Sequence, residues 1–295
     1  MFLIVGGDSE IGAATYRLMK AQGISVFATT RRPDRIAAAR PYLDLAVPLD
    51  DWAPPQGTRA ACVCAAVARL SACANDPRTS AQINVAHTLA LIDKLVARRI
   101  YVLFLSSNQV FDGRNPNVEA NAAPSPISEY GRQKAQTEAR LQQLMISGAP
   151  VGILRLAKVV SPHITLLHGW INALKSGNRI RAFHDVRLAP VPIELVCRAV
   201  IALMIDRAEG VFQLTGPLDV TYTELARIIA DQLAADPNLV SSTSACEAGL
   251  PEGSWPLHTT LDSDLLSKRY QLQVPDVQTV IHSIIASVDA QTADS

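Results

Sequence analysis

The stretch LFLSSNQVFDG, residues 103–113, and the pentapeptide YGRQK, residues 130–134, organise this chain. An apolar run that ends in small hydroxyl residues is typical of a buried parallel strand, and it places Ser107 at the carboxyl end of that strand. Open α/β sheets bind their ligands at this end. The sequence therefore predicts a functional site where the strand meets the YGRQK helix.

The spacing of Tyr130 and Lys134, four residues apart, places both side chains on one helix face. A lysine ammonium beside a phenol favours the phenolate, so we expect Lys134 to lower the pKa of Tyr130. The Ser107 hydroxyl can hold a substrate oxygen next to the phenol, which together suits proton transfer to an oxygen on carbon. Tyr-x-x-x-Lys alone also occurs as an ordinary surface turn of a helix, so the surrounding sequence must decide.

A glycine-rich turn follows the first predicted strand, Phe2–Val5, and precedes a helix that runs to about Gly23. Strand, turn and helix in this order present backbone N–H groups to a pyrophosphate. The turn reads GGDSEIG, so a serine replaces the usual central glycine and its hydroxyl is a potential donor. The predicted cofactor contacts here are Gly6, Ser9, Glu10, Ile11 and Gly12; the alternative is a tight turn without a ligand.

The second predicted strand, Ile24–Thr29, is followed by Thr30, Arg31 and Arg32. In such sheets an acidic residue after this strand holds the ribose 2′-hydroxyl of NAD, whereas arginine accommodates the 2′-phosphate of NADP. No Asp or Glu occurs at this point of the sequence. We therefore predict that NADP(H) is preferred over NAD(H), with two solvated loop arginines as the alternative interpretation.

Further strands are predicted at Leu43–Pro48, Ala61–Ala66 and Val151–Leu156. Helical periodicity lies between them, from about Asp76 to Arg99 and after Tyr130, which indicates a doubly wound parallel α/β sheet. The predicted cofactor contacts in these connections are Asp50, Ala65, Ala66 and Val67. Asn84, in the helix from Asp76, is by its pattern an ordinary structural amide, and only the family resemblance adds it to the cofactor site.

The second half of the chain is less regular. It contains predicted helices at 164–175, 193–205, 261–268 and 274–288, a strand at 210–214, a polar loop at 179–192, and a frayed end at 289–295. Thr221 and Glu224 have the spacing of a capping box, which predicts another helix. We predict a Rossmann-like nucleotide domain over 1–156, joined by 190–214, and a small α/β substrate domain from 157–189 and 215–288.

Composition limits the classes of partner. The formal net charge is zero, with 27 basic and 27 acidic residues and no block of like charges, so neither nucleic acid nor an anionic membrane is indicated. The five cysteines are scattered, and we expect Cys62 and Cys64 to point to opposite faces of a strand, so no metal site is predicted. Reduced thiols and the lack of a run of ~20 apolar residues favour a cytoplasmic protein with a small-molecule partner.

The motifs together resemble an extended short-chain dehydrogenase/reductase, in its dTDP-4-dehydrorhamnose reductase-like, sugar-nucleotide-binding branch. The matching pieces are residues 6–12, 84–88, 105–113, 130–134, 154–155, 189–194, 210–216 and 261–262. They occur in the expected order over nearly the whole chain. VFDG followed by the tyrosine helix is specific to this branch, whereas the Tyr-x-x-x-Lys spacing is not.

The resemblance implies roles by position. It implies that Ser107 hydrogen-bonds the substrate oxygen, that Tyr130 is the catalytic acid, and that Lys134 binds the nicotinamide ribose and tunes the tyrosine. It also implies that Asn84 supports the lysine through water. The implied reaction is hydride transfer from NADPH to a keto carbon of a sugar nucleotide or related substrate.

The chain departs from the branch on the substrate side. Asn108 and Gln109 replace an aspartate and a tyrosine, and Lys158 replaces an aromatic residue. We expect Gln109, Phe111 and Lys158 to contact substrate. A mobile positive charge suits an acidic or phosphorylated keto compound better than a bare deoxysugar ring; the alternative is that Lys158 points to solvent.

Two other functions remain open at this point. The regulatory subunit of methionine adenosyltransferase is a relative of this branch, so the chain is alternatively a non-catalytic NADP-binding module. Nucleotide-sugar epimerases and dehydratases form the other alternative, although they tend to carry an acidic residue after the second strand. A homodimer is compatible with each of these interpretations.

Overall fold

The computed structural model describes residues 1–250 and 255–293. Its strands are β1 (Phe2–Val5), β2 (Val26–Ala28), β3 (Ala60–Val63), β4 (Tyr101–Ser107), β5 (Val151–Leu156), β6 (Val159–Val160), β7 (Ile180–Phe183), β8 (Arg187–Leu188), β9 (Val191–Pro192), β10 (Gly210–Leu214), β11 (Val220–Thr221) and β12 (Val240–Thr243). Its α-helices are α1 (Glu10–Ala21), α2 (Leu70–Asn75), α3 (Pro77–Ala81), α4 (Thr88–Val96), α5 (Glu129–Ile146), α6 (Thr165–Lys175), α7 (Ile193–Asp206), α8 (Tyr222–Gln232), α9 (Asp264–Tyr270) and α10 (Val277–Ala293).

Six parallel strands form the central sheet in the order β10-β5-β4-β3-β1-β2. Strand order reverses at β1, which has β2 on one side and β3, from later in the chain, on the other. Ligands of open α/β sheets bind in the crevice outside the carboxyl ends at such a switch point. The predicted doubly wound α/β fold is confirmed, and its crevice lies between the ends of β1 and β3.

Both faces of the sheet are covered, which explains why its strands are continuous apolar runs. In β4, Tyr101, Leu103 and Leu105 face a core that includes α1 and α7. Val102 and Phe104 face the opposite core, which includes α4 and α5. Alternation along one strand thus supplies two separate layers of packing.

A core separate from these two layers lies in the later part of the chain. It combines apolar side chains of α6, α8 and α10 with those of β7 and β8. The segment 190–214 lies instead against the central sheet, because α7 packs on α1 and β10 pairs with β5. Within residues 1–250 and 255–293 no helix combines the length and the apolar composition needed to cross a membrane.

The strand predicted at Leu43–Pro48 is wrong. Thr30 makes one isolated β-bridge with Tyr42: its backbone N–H donates to Pro41 O, and its carbonyl oxygen accepts from Leu43 N. No ladder continues from this bridge. Leu43 and Leu45 are buried in the core that includes α4 and α5, whereas Val47 is exposed. The start of this segment therefore resembles a strand, but it pairs with the residues after β2 only through the single bridge.

Other predicted boundaries also need correction. The polar loop predicted at 179–192 contains β7, β8 and β9, because these short strands pair with partners far along the chain. The helix predicted at 261–268 begins at Asp264, and α10 continues through part of the end predicted to fray. Residues 294 and 295 lie outside the described residues. The capping box of Thr221 and Glu224 is confirmed at the start of α8.

The expectation that Cys62 and Cys64 point to opposite faces is wrong. Their sulfur atoms lie 3.5 Å apart. Residues separated by two positions share one face of a strand, so the alternation places the two thiols side by side. Burial is the main cause that raises the pKa of the Cys62 thiol well above its usual range.

Candidate active site

The carboxyl end of β4 presents Ser107 and then turns sharply. A 3-10 turn at Asn108–Val110 follows directly. The Ser107 hydroxyl accepts a hydrogen bond from the Gln109 backbone N–H at 3.2 Å and donates to Asn108 Oδ1 at 3.3 Å. Ser107 is only partly buried. Its oxygen is therefore held at the edge of the sheet where the predicted substrate carbonyl would lie.

Helix α5 begins against this same turn. Its N-cap, Ser128, accepts a bond from Gly131 N and donates one to Gln109 Oε1 at 3.2 Å. A Cβ atom on Gly131 would lie 2.0 Å from the Gln109 carbonyl oxygen. Only glycine permits this approach, and the approach brings the first turn of α5, with Tyr130, to the end of β4.

Lys134 is a buried cation, with 3% of its surface exposed. Its Nζ donates to the Leu105 carbonyl oxygen at 2.8 Å and lies 4.3 Å from the centroid of the Phe104 ring. Burial lowers the pKa of Lys134 to about 8, against a smaller opposing effect of the Glu138 charge. The ammonium of Lys134, which extends from α5, is thus fixed by a carbonyl of β4, the strand that carries Ser107.

Tyr130 is predominantly a neutral phenol in this structure. Burial raises its pKa above the usual value, and the nearby Cys73 thiol acts in the same direction. The expectation that Lys134 lowers this pKa is wrong here, because Nζ is bonded to Leu105 O and lies 5.6 Å from the Tyr130 ring centroid. A neutral phenol is the protonation state that a proton donor requires.

A cleft of about 520 Å³ opens at the carboxyl ends of β1 and β3. Seven predicted cofactor residues line it: Gly6, Ser9, Arg31, Arg32, Ala65, Ala66 and Val67. Gly6 has φ +88°, and a Cβ atom there would lie 2.7 Å from Ala65 N. The strand ends approach one another through this glycine, and the resulting concave backbone fits a dinucleotide.

Ser9 has a structural task in the glycine turn. Its hydroxyl donates to Gly6 O at 2.7 Å and accepts from Gly12 N at 3.1 Å, which caps α1. The hydroxyl hydrogen is therefore committed to the turn itself. A Cβ atom on Gly12 would lie 2.3 Å from Gly6 O, so the third glycine of the motif is also required by packing.

Other predicted cofactor residues occupy varied positions. Glu10 is exposed at the start of α1 and its carboxylate accepts a hydrogen bond from the Ser161 hydroxyl. Ile11 packs against the core on the α7 side. Asp50 is exposed, its carbonyl oxygen accepts a bond from Lys94, and it does not line the 520 Å³ cleft.

Asn84 lies in a π-helical segment, Gln82–His87, where one continuous α-helix had been predicted. Its side chain accepts from Val67 N at 2.8 Å and donates to Val67 O at 3.0 Å. It also donates to Gln133 Oε1 at 2.7 Å. The amide thus fixes the loop that forms one wall of the cleft and ties it to α5, the helix of Tyr130 and Lys134.

Several cleft residues were missed by the sequence analysis. Asp44, Leu45 and Arg69 line the cleft, and Asp8 reaches the end of β2, where Thr30 donates to its carboxylate at 2.6 Å. An Asp-Leu pair in the segment after β2 was the available signal for the first two. The position of Asp8 depends on the fold alone, because 22 residues separate it from Thr30.

The predicted substrate contacts also differ in their surroundings. Gln109 accepts the Ser128 bond at the start of α5. Phe111 is 5% exposed, and its ring centroid lies 4.9 Å from the Arg155 guanidinium carbon. Lys158 has an exposed side chain, while its backbone carbonyl accepts from Val191 N. In the described part of the chain no cluster of three His, Cys, Asp or Glu residues could hold a metal ion.

Comparison with known proteins places these features among related sequences. The model of the RmlD substrate binding domain matches residues 1–290. Methionine adenosyltransferase 2 subunit beta of Mus musculus is 27% identical over 175 residues, which is 57% of this chain and 52% of that protein. A dTDP-4-keto-6-deoxy-D-glucose reductase of Streptomyces niveus is 30% identical over 146 residues, covering 48% and 50%. The chain therefore matches about half the length of these curated relatives.

Solved structures show the same fold. A dTDP-4-dehydrorhamnose reductase from Bacillus anthracis in complex with NADP superimposes with a TM-score of 0.82 and 16% identity, covering 97% of this chain and 98% of that one. At this identity the likeness concerns the fold alone.

Proposed function

Because the chain belongs to the RmlD substrate binding domain family, we propose that it is an NADP-dependent reductase acting on the keto group of a sugar nucleotide or a related carbonyl compound. The observation that carries the proposal is the contact of Gly131 with Gln109, which brings Tyr130 and Lys134 to the strand end that holds Ser107. A dinucleotide-sized cleft lies beside this point, across the ends of β1 and β3.

Each residue of the site has a separate role in the proposed reaction. Ser107 orients the substrate oxygen, and Tyr130, a neutral phenol, donates its phenolic proton as negative charge develops on that oxygen. Lys134 keeps one N–H bonded to Leu105 O and offers its remaining N–H groups to a ribose. A bound reduced nicotinamide would supply the hydride. Gly6 and the N-terminus of α1 would hold its pyrophosphate, with Arg31 and Arg32 toward the adenosine end.

Replacement of the phenol tests the proposal. Tyr130→Phe removes only the transferable proton, so we expect NADPH affinity to stay within about twofold while turnover falls by at least about a hundredfold. Lys134→Ala should weaken both, because that side chain also contacts ribose in the proposed complex. Calorimetry and a keto-sugar reduction assay measure the two quantities. Full activity of Tyr130→Phe would rule out Tyr130 as the proton donor.

We propose further that the substrate carries a carboxylate or phosphate, recognised by the exposed ammonium of Lys158 together with Gln109. Each of these residues follows the paired strand ends Ser107 and Leu156 by two positions. The same assay compares dTDP-4-dehydrorhamnose with an acidic keto sugar nucleotide. We expect the wild type to favour the acidic compound, and Lys158→Trp to reduce that ratio. A preference for the neutral sugar, unchanged by the substitution, rules the idea out.

One second candidate is favoured by a specific observation, the similarity to methionine adenosyltransferase 2 subunit beta. In that case the chain would bind NADP and act through a partner protein, without turnover. Equal inactivity of wild type and Tyr130→Phe across the keto-sugar panel, with intact NADPH binding in both, would favour this candidate.

A further inference from the structure

Asp8 brings a carboxylate to the end of β2, where the local sequence provides none. Its Oδ2 accepts a hydrogen bond from Thr30 at 2.6 Å, and its Oδ1 accepts one from Arg40 at 2.7 Å. Arg35 lies 3.6 Å from the same Oδ1 atom. The glycine turn therefore supplies, from another element, the acidic group that the second strand lacks.

This carboxylate is partly buried and faces the cleft. Its side chain is 14% exposed, and Asp8 lines the cleft together with Arg31 and Arg32. Burial alone would raise its pKa, but the Thr30 hydrogen bond and the Arg40 charge outweigh burial and lower it. Asp8 is therefore an anion at neutral pH, set among arginines at the predicted adenosine end of the cleft.

We infer that Asp8 is a specificity-determining residue that lets the proposed cofactor site accept a ribose 2′-hydroxyl and that opposes a 2′-phosphate. The inference rests on the proposed function. A hydroxyl can donate to the carboxylate, whereas a phosphate dianion placed there meets a like charge. Arg31 and Arg32 act in the opposite direction, because they attract the phosphate. The preference for NADPH is then the difference between two opposing contributions within one wall of the cleft.

The neighbouring arginines strengthen this interpretation. Arg40 and Arg35 each form an ion pair with Asp8, which neutralises part of their positive charge. The Arg40 Nε atom is buried without a hydrogen-bond partner among the described residues. An amide in place of the carboxylate leaves both guanidinium groups without that counter-ion. The wall then becomes more positive, which favours a phosphate and removes an acceptor for the hydroxyl.

Calorimetric titration of the full chain with NADPH and with NADH tests the inference. We expect Asp8→Asn to raise the ratio of NADPH affinity to NADH affinity by about tenfold, equivalent to about 1.4 kcal/mol. Asp8→Ser is a second variant, in case the first does not fold, and should change the ratio in the same direction. The double variant Arg31→Ala/Arg32→Ala should lower the ratio.

Asp44→Asn is the matched control, since Asp44 lines the same cleft but its carboxylate accepts from Ala46 N rather than from Thr30. It should change both affinities by similar factors. An unchanged ratio in both Asp8 variants, or an equal shift in Asp44→Asn, overturns the inference while the reductase proposal stands. A wild type that binds neither nucleotide overturns both.

Discussion

At the residue scale, burial drives the two central titratable groups of the candidate site toward their neutral forms. It raises the pKa of Tyr130 and lowers that of Lys134 to about 8. The phenol is neutral at neutral pH, and the Glu138 charge, Leu105 O and the Phe104 ring oppose the effect of burial on the ammonium. The same burial makes Tyr130 a weaker acid and makes the Lys134 ammonium a source of instability.

This conflict predicts a pH-dependent difference in stability between wild type and Lys134→Met. The folded pKa of Lys134, about 8, lies below its usual value of 10.5, so between these values the unfolded state binds more protons and the wild type gains stability as pH rises. We expect its free energy of unfolding to gain about 3 kcal/mol relative to the variant from pH 7 to pH 10.5. Urea unfolding at several pH values measures the difference.

Lys268→Met is the control for this titration. The Asp264 hydrogen bond raises the pKa of the exposed Lys268, so its contribution is complete below the unfolded pKa and is lost as pH rises through the folded one. The difference should therefore have the opposite sign and be small, since the pair is in water. A flat difference for Lys134→Met would contradict the burial argument.

At the element scale, the start of α5 decides where Tyr130 and Lys134 lie. Ser128 caps the helix, and Gly131 lets the first turn rest on the Gln109 carbonyl. The opposite side of α5 is joined to the π-helical segment by Gln133, which accepts from Asn84 and donates to Ser80 at 2.8 Å. π-Helical turns are often found at functional sites, and this one aims the Asn84 amide at the cleft loop.

Gly131→Ala should be destabilising and should impair turnover more than nucleotide binding. Its Cβ would meet the Gln109 carbonyl at 2.0 Å, so α5 or the 3-10 turn must move. Overpacking of this kind costs about 1 to 3 kcal/mol of unfolding free energy. Thermal unfolding and the reductase assay measure the two effects.

Gly169→Ala is its matched control. Gly169 lies in α6, and a Cβ atom there has nothing within 4 Å. Alanine in an open helical position should stabilise the chain by up to about 1 kcal/mol and leave activity unchanged. A Gly131→Ala variant as stable and active as the Gly169→Ala variant would show that the close approach does not govern the site.

At the scale of the whole molecule, one buried ion pair joins distant parts of the chain. Arg155 of β5 pairs with Glu138 of α5 at 2.7 Å, and the two side chains are 0% and 1% exposed. Arg155 also donates to Gln213 of β10 and to the carbonyl of Ala120. The edge strand β10, the helix α5 and the loop after the 103–113 stretch are thus fixed to one guanidinium group.

Glu138→Gln should destabilise the protein by about 3 to 5 kcal/mol, because it leaves the Arg155 charge buried without its partner. Denaturant unfolding measures the loss. Arg132→Ala removes an ion pair on the same helix whose side chains, Arg132 and Glu129, are 55% and 23% exposed. That variant should lose no more than about 1 kcal/mol. Similar losses of unfolding free energy in both variants would show that burial does not determine how much each ion pair contributes to stability.

The sequence by itself determined the features that depend on nearby residues. Four features each follow from contacts across a few positions: the order of strand, glycine turn and helix, the serine at the end of β4, the Tyr130–Lys134 spacing and the capping box of α8. Hydrophobic runs predicted the six strands of the central sheet for the same reason, since a strand buried on both faces leaves a local apolar signature.

Only the tertiary structure decided the features that depend on contacts between residues distant in the sequence. The segment 43–48 begins like a strand but forms no ladder with the edge strand β2, whereas the short strands within 179–192 exist because distant partners reach them. The pKa of Tyr130 follows from burial by the whole fold rather than from the lysine four residues away. Asp8 reaches the end of β2 because the sheet brings the two strand ends together, and neither hydrogen-bond partners nor desolvation over such distances are encoded in local sequence.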